Sequence, residues 1–496
     1  MRKKVLIIGA GIAGLSAGCY LQKNGYDTQI FEIHNLPGGL CTSWKRKDFV
    51  IDGCIHWLVG SSPSDNLYNL WNELVDMSQI KFVDHDSFIE FRDKNGKSIN
   101  VYCDINKLET ELLEKAPEDK KLILEFTGAV RKFLKIALPI DKAPELYGFI
   151  DLVLLLFKLL PYIMDLRKWS GISAVDFASK CKNNFLKKVF TNMFWPDMSV
   201  LFLIFTLVWM HKKSAGYPIG GSLNFSKLIE KKYLELGGKI NYKSKITKIH
   251  TNYNMADGIT IKNGQNHKAD IIISAADGYS TIFEMLDSKY INSEIKNYYK
   301  NYDVFHSYLQ VSFGVNRTFE NLNQMISFPL DKAIYIDSET SCEDLSVRIF
   351  NFDDTLAPPG KTVLSLMITT PDYEYWDNLR KQDREKYNAE KQRIADEIID
   401  ALDKEFGNIR TNIEMIDVST PATVIRYTNN WKGSFEGWVL TPKIGLTKMK
   451  KVLPNLKNFY MIGQWVEPGG GLPPALMSGR SVAQIICKED EKVFKS

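Results

Sequence analysis

The stretch Val5-Leu6-Ile7-Ile8-Gly9-Ala10-Gly11-Ile12-Ala13-Gly14 decides how the start of this chain folds. Four consecutive apolar residues predict a buried strand, and the glycines after them predict a tight turn into a helix. The helix is expected from about Ala13 to Asn24, ended by Gly25, with a second strand from Thr28 to Glu32. In such a β-α-β unit Gly9 lets the strand turn, Gly11 lets backbone approach a pyrophosphate, and Gly14 lets helix and strand pack closely. The helix start at Ile12 and Ala13 adds partial positive charge. Glu32 lies 18 residues after Gly14, where a carboxylate can accept hydrogen bonds from a ribose diol.

Two further segments lengthen the expected ligand. Pro37-Gly38-Gly39, just past the carboxylate, opens room for the rest of a long cofactor. Near the other end, Phe459-Tyr460-Met461-Ile462-Gly463-Gln464-Trp465 and Glu467-Pro468-Gly469-Gly470-Gly471-Leu472-Pro473-Pro474 can lay backbone amides against its far end. A nucleotide site built from both ends of the chain suits FAD, not a free-standing nicotinamide module. The run Asp270-Ile271-Ile272-Ile273-Ser274-Ala275-Ala276-Asp277 reads as a central parallel strand that delivers backbone to that ligand at Ala275. Only one dinucleotide motif is evident, so electrons are expected to pass through the substrate pocket, or through a quinone or oxygen.

A chain of 496 residues usually holds two or three domains and buries a large core. The net charge of +4 is small for that size, which argues against a nucleic-acid partner, and the basic clusters Arg2-Lys3-Lys4 and Lys448-Met449-Lys450-Lys451 read as solvated surface. Seven scattered cysteines with no C-x-x-C pair suggest reduced thiols and a cytoplasmic protein, and no metal-ligand spacing is present.

The expected fold class is α/β. A Rossmann-type, glutathione-reductase-like FAD-binding domain is assembled from 1–75, 215–280 and 421–496, with an inserted mixed α/β substrate domain from 76–104 and 281–420. Residues 105–214 read as a helical region with two apolar segments. Met198–Met210 is too short to span a bilayer, which needs about 20 apolar residues. Leu146–Met164 is interrupted by Asp151 and Lys158. One reading makes both of them buried core helices. The other docks Phe149–Met164 into one leaflet on the inner face of a membrane, flanked by Lys142 and Arg167-Lys168, with Trp169 at the interface.

Several motifs resemble the phytoene desaturase and carotenoid isomerase family, which also takes in retinol saturase-like proteins. They are Pro37-Gly38-Gly39-Leu40, Asp52-Gly53-Cys54-Ile55-His56-Trp57, Tyr217-Pro218-Ile219-Gly220-Gly221 and Arg426-Tyr427-Thr428-Asn429-Asn430-Trp431-Lys432-Gly433-Ser434. The closing segment from Gly463-Gln464-Trp465 through Ser478-Gly479-Arg480 matches the same family. The resemblance implies FAD held by Gly9, Gly11, Ile12, Ala13, Gly14, Glu32, Gly38, Gly39, Leu40, Gly463, Gln464 and the Gly471-Leu472-Pro473 loop. Backbone near Ile246, in Lys245-Ile246-Thr247-Lys248-Ile249, is implied to face the adenine. Many relatives carry an arginine where Leu40 stands, so a charged contact to the phosphates is missing or comes from Lys45 or Arg46.

Acid–base residues are less evident. His56 reads as a hydrogen-bonded core histidine or an active-site donor. Arg426 and Tyr427 read as a surface strand pair or as a wall of the substrate cavity facing the flavin, and Glu467 as a structural neighbour of the closing loop. The resemblance implies an oxidoreductase acting on a long apolar unsaturated lipid, a carotenoid, retinoid or other polyene, by desaturation, saturation or flavin-assisted isomerisation. Two alternatives share the architecture: an amine-oxidase-like flavoenzyme, with an aromatic cage and a lysine-bound water, and a flavin-free lipid-binding escort protein.

Overall fold

The strand Lys4–Ile8 is central because its side chains are apolar on both faces: Val5, Leu6 and Ile7 are wholly buried. In the computed structural model, which describes residues 2–137, 139–445 and 449–496, this strand lies third in a five-stranded sheet. The order is Lys239–Asn241, Asp27–Phe31, Lys4–Ile8, Ile271–Ser274, Phe459–Met461, all parallel, with Ile7 between Ile30 and Ile273. One face is covered by the helix Ile12–Lys23, packed between the helices Gly221–Glu235 and Leu472–Glu489. The other carries a three-stranded antiparallel sheet, Ile246–Asn252, Met255–Ile261 and Asn266–Lys268. Segments 460 residues apart in sequence thus meet on one face of the sheet, where Ser16 Oγ donates to the Leu476 carbonyl at 2.8 Å.

A second sheet has seven strands in the order Ile413–Ser419, Ser307–Val315, Thr362–Thr370, Ser341–Ile349, Met325–Tyr335, Ser87–Arg92, Ser98–Tyr102. The long helix Arg384–Phe406 covers it, with Ile394, Ile398 and Leu402 in the shared core. The helix Pro421–Thr428 packs on this sheet and on the helix Tyr373–Gln382. A boundary at 421 therefore cuts the nucleotide-binding part too early: Pro421 at the first helical position continues the sheet module.

The helical region divides its two apolar segments. Val200–His211 is a core helix in which Val200, Leu201, Ile204 and Leu207 are buried among Phe126, Phe190 and Leu186. Phe149–Leu159 has no buried residue at all. Trp169 is not at an outer interface but is buried against Phe177, and Lys168 lies over its ring. Among the described residues no helix is long and apolar enough to cross a membrane. Lys448 lies outside the described residues. Lys451, from the same basic cluster, is not solvated: it is buried between Glu145 at 2.6 Å and Glu467 at 3.0 Å, because two carboxylates compensate its charge.

Candidate active site

The turn after the first strand is fixed by sterics and by one carboxylate. A Cβ on Gly14 would stand 2.0 Å from the Gly9 carbonyl oxygen, and one on Gly38 2.2 Å from the Cys41 carbonyl oxygen, so neither position admits a side chain. Gly38 N donates to Ala10 O at 2.8 Å, which ties the glycine pair to the turn. Glu32 is buried at the end of its strand; one oxygen accepts from Ala10 N at 2.6 Å and the other from His34 N at 2.8 Å. Burial pushes this carboxyl upward and the amide hydrogen bonds oppose it. Each oxygen keeps a further lone pair for a hydroxyl.

A single cavity of about 950 Å³ starts here, at the upper end of the volume range of small-molecule sites. Its first part is lined by Glu32, Ser244, Lys245, Ile246, Ala275, Tyr427 and Asn429. Its middle is lined by Gly9, Gly11, Ile12, Ala13, Gly38, Gly39, Leu40, Gly463 and Gln464, where the helix Ile12–Lys23 begins at Gly11 without a side-chain cap. Its far part runs between Cys54, His56 and Trp57 in the loop after the strand Phe49–Asp52, Phe435 and Glu436 in the loop that follows the helix Pro421–Thr428, and the loop Gly469–Pro473. That loop leads into the helix Leu472–Glu489, also without a side-chain cap at Gly471. Gly14 supports the turn from behind and does not line the cavity.

Glycines without room for a side chain, two uncapped helix starts, a buried carboxylate and a long cavity form a cradle that fits a dinucleotide. Ile12 and Ala13 amides would receive the pyrophosphate, Glu32 the ribose, and the closing loop the far ring. The cavity holds no arginine at Leu40. Lys45 and Arg46 do not replace it: their strand Ser43–Arg46 turns them outward, where Arg46 pairs with Asp417 at 2.6 Å. The cation that lines the cavity is Lys245, with Nζ 3.3 Å from the Asn429 side-chain oxygen.

The expected acid–base residues separate. His56 is open to the cavity interior while protein encloses it on the other sides; this burial, with Arg348 nearby, pushes its imidazole down to about 3. It is a neutral ring, and among the described residues the protein gives that ring no hydrogen bond, so it is not a satisfied core histidine. Arg348 is itself buried, donates from Nη2 to the His56 carbonyl at 2.5 Å, and packs over Tyr217, Phe350 and Phe352. It positions the His56 loop, and nothing in its local sequence announces that.

Arg426 and Tyr427 are neither a strand pair nor a wall facing the closing loop. They sit on the helix Pro421–Thr428 beside the Glu32 end, where Tyr427 stacks edge-on with His34 at 4.7 Å. Arg426 is exposed over the Tyr427 ring and does not line the cavity. Glu467 lines it, but is paired with Lys451. Sequence reasoning passed over Glu436, which stands in Gly433-Ser434-Phe435-Glu436-Gly437-Trp438; an acid set among small and apolar residues was the signal. Among the described residues no cluster of His, Cys, Asp or Glu could hold a metal ion.

Beyond His56 the cavity becomes apolar, passing Trp57, Phe202 and Trp209 to end against Leu152, Leu155 and Leu159. Those three lie on the helix Phe149–Leu159, whose outer side exposes Phe149 at 81%, Ile150 at 73% and Phe157 at 69%. One short helix thus presents apolar side chains both to the cavity and to the outside.

Residues 12–487 match the family described as flavin containing amine oxidoreductase. The chain is similar to a chloroplastic prolycopene isomerase of Daucus carota, 26% identical over 96% of this chain and 78% of the relative. It is also similar to a 4,4'-diapophytoene desaturase (4,4'-diapolycopene-forming) of Methylomonas sp., 23% identical over 99% of this chain and 97% of the relative. Its fold matches a putrescine oxidase, with a TM-score of 0.62 at 13% identity over 98% of this chain and 99% of that one. The match covers nearly the whole length, including both segments that meet at the cradle: the chain belongs to the flavin-containing amine oxidoreductase family and is an FAD-dependent oxidoreductase.

Proposed function

We propose that this enzyme binds FAD along the cradle and acts on a long apolar polyene that reaches it from a membrane surface. The adenosine lies at Glu32, Ile246 and Tyr427, and the pyrophosphate lies against Gly11, Ile12 and Ala13. The isoalloxazine lies among Gly463, Gln464 and the Gly471-Leu472-Pro473 loop. The observation that carries the reading is the continuity of the cavity, from the glycine cradle to the inner side of the exposed apolar helix Phe149–Leu159. An exposed apolar patch rimmed by polar residues marks an interaction surface, and here the ion pairs of Lys142 with Asp151 and of Lys168 with Glu125 flank it.

Bound flavin supplies hydride and electron transfer; the protein supplies shape, dryness and orientation. Neutral His56 and the ring of Trp57 form an uncharged wall, and Arg348 fixes their loop from behind. The relatives with carotenoid names agree with such a substrate. Desaturation, saturation and double-bond isomerisation share this geometry. The electron partner is a quinone or oxygen, and the amphipathic helix sets the enzyme peripherally on a membrane.

The amine reading has one specific test within the cavity. Its lysine-bound water needs a lysine at the flavin end, whereas Lys245 lines the Glu32 end and no other lysine lines the cavity among the described residues. That weighs for the polyene. Purified yellow enzyme incubated with vesicles carrying prolycopene, phytoene or all-trans-retinol should change at least one of them by chromatography, while putrescine should produce no oxygen uptake. Oxygen uptake with putrescine and unchanged polyenes would reverse the assignment.

A further inference from the structure

Glu436 lines the far part of the cavity together with Cys54 and His56 and stands directly against the closing glycine loop: a Cβ on Gly470 would stand 2.6 Å from the Glu436 Cβ. The backbone around it is held firmly. Gly437, at φ +73°, donates from its amide to Ser434 Oγ at 3.1 Å, and its carbonyl accepts from Phe305 N at 2.8 Å. Among the described residues the Glu436 carboxyl has no hydrogen-bond or ion-pair partner. Folded proteins rarely leave an enclosed carboxyl without one, because an ionised group in an apolar site is costly. Other carboxylates near the cavity are tied down: Glu467 to Lys451, Asp52 to Tyr217 and Ser222, and Asp277 to Ser280 and the Trp431 amide. The remaining titratable neighbours that line this part are Cys41, Cys54 and His56. None of them supplies a positive charge: the His56 ring is neutral, and the hydrogen bond to Cys41, burial and the nearby carboxylates Asp52 and Glu436 push the Cys54 thiol well up.

We propose that Glu436 is the catalytic acid–base residue of this site, carrying the proton while the flavin carries the hydride. The proposal rests on the polyene reading. In desaturation, one carbon loses hydride to oxidised flavin and the neighbouring carbon loses a proton to the Glu436 carboxylate, leaving a double bond. In saturation both transfers reverse: the Glu436 carboxylic acid gives the proton to one carbon, and the hydride for the other would come from the reduced cofactor held in the cradle. In isomerisation the acid protonates the polyene and takes the proton back after rotation, with no net redox change. Burial pushes this carboxyl up to about 7, so acid and base forms coexist near neutrality, as a residue working in both directions requires.

The test compares wild type with Glu436→Gln, which keeps size and removes the ionisation. The first readout is the flavin absorption spectrum of the FAD-loaded protein, titrated from pH 5 to 9 without substrate. Wild type should show a spectral transition near pH 7 that the variant lacks; the same transition in both would overturn the placement of Glu436 beside the flavin. The second readout is turnover of vesicle-borne prolycopene or phytoene across pH 5 to 9. The variant should keep its FAD content and its KM while kcat falls by about 10²-fold or more and loses the wild type's inflection near neutrality. Equal kcat and equal pH profiles in both proteins would overturn the acid–base role. A wild type that shows the spectral transition yet turns over no polyene would instead sink the substrate reading, while Glu436 keeps its place at the flavin.

Discussion

The two ends of the cavity are built on opposite principles. At the Glu32 end, backbone does the recognition: glycines without room for a side chain, a buried carboxylate holding two amides, and a helix start aimed at the ligand. At the Phe149–Leu159 end, side chains do it, and no residue of that helix is buried. The first end is rigid because its geometry leaves no alternative; the second is apolar surface that lacks a partner within its own chain. Cofactor binding and membrane docking should therefore fail independently.

Substitution at the rigid end should have the largest effect. Gly14→Val places atoms where the Gly9 carbonyl stands, and should yield protein with no bound flavin, read from the ratio of flavin to protein absorbance. Glu32→Ala removes the acceptor of the Ala10 and His34 amides, and should weaken FAD binding by about 1.5–3 kcal/mol, roughly ten- to a hundredfold, in a flavin titration. Both variants, where folded, should still sediment with vesicles. If Glu32→Ala loses vesicles and flavin together, the two ends are not separate.

At the apolar end, replacing the exposed Phe149, Leu154 and Phe157 by Ser should release the protein from vesicles while flavin content and thermal midpoint stay put. Each inserted side chain contributes about 1.5–3 kcal/mol, so loss of the three abolishes sedimentation. Unchanged sedimentation would show that this helix does not face lipid. Leu207→Ser on the buried helix Val200–His211 is the sharpening control, since it should lower the thermal midpoint instead.

The smallest effect concerns pH. The folded state holds the His56 imidazole down to about 3, below its ordinary 6.5, so the unfolded chain binds the extra proton first. The stability contributed by neutral His56 is present above about pH 6.5 and is lost as pH falls toward 3. His56→Gln should flatten that acid limb in thermal melts between pH 4 and 7. An unchanged slope would place another group behind it.

The rigid end was legible in the sequence because its chemistry is local and positional. Gly9, Gly11 and Gly14 stand at fixed spacing after an apolar run, and Glu32 follows at the end of the next strand. The apolar end was only half legible: Phe149–Leu159 and Val200–His211 have similar composition, and only the presence or absence of packing partners separates a surface helix from a core one. Arg426 and Tyr427 misled because a family motif fixes residues and not secondary structure; Pro421 starts a helix there and turns them to the Glu32 end. Arg348 was missed because enclosure is a tertiary property; Glu436 showed only an acid set among small and apolar residues, which does not reveal whether its carboxyl finds a partner.

One cavity joins the flavin cradle to the polyene path. The most direct test of that continuity is the flavin spectrum of the holoenzyme, titrated anaerobically with vesicle-borne prolycopene and, separately, with putrescine. The polyene should perturb or bleach the flavin bands, and putrescine should leave them untouched. Bleaching by putrescine with no response to the polyene would contradict it.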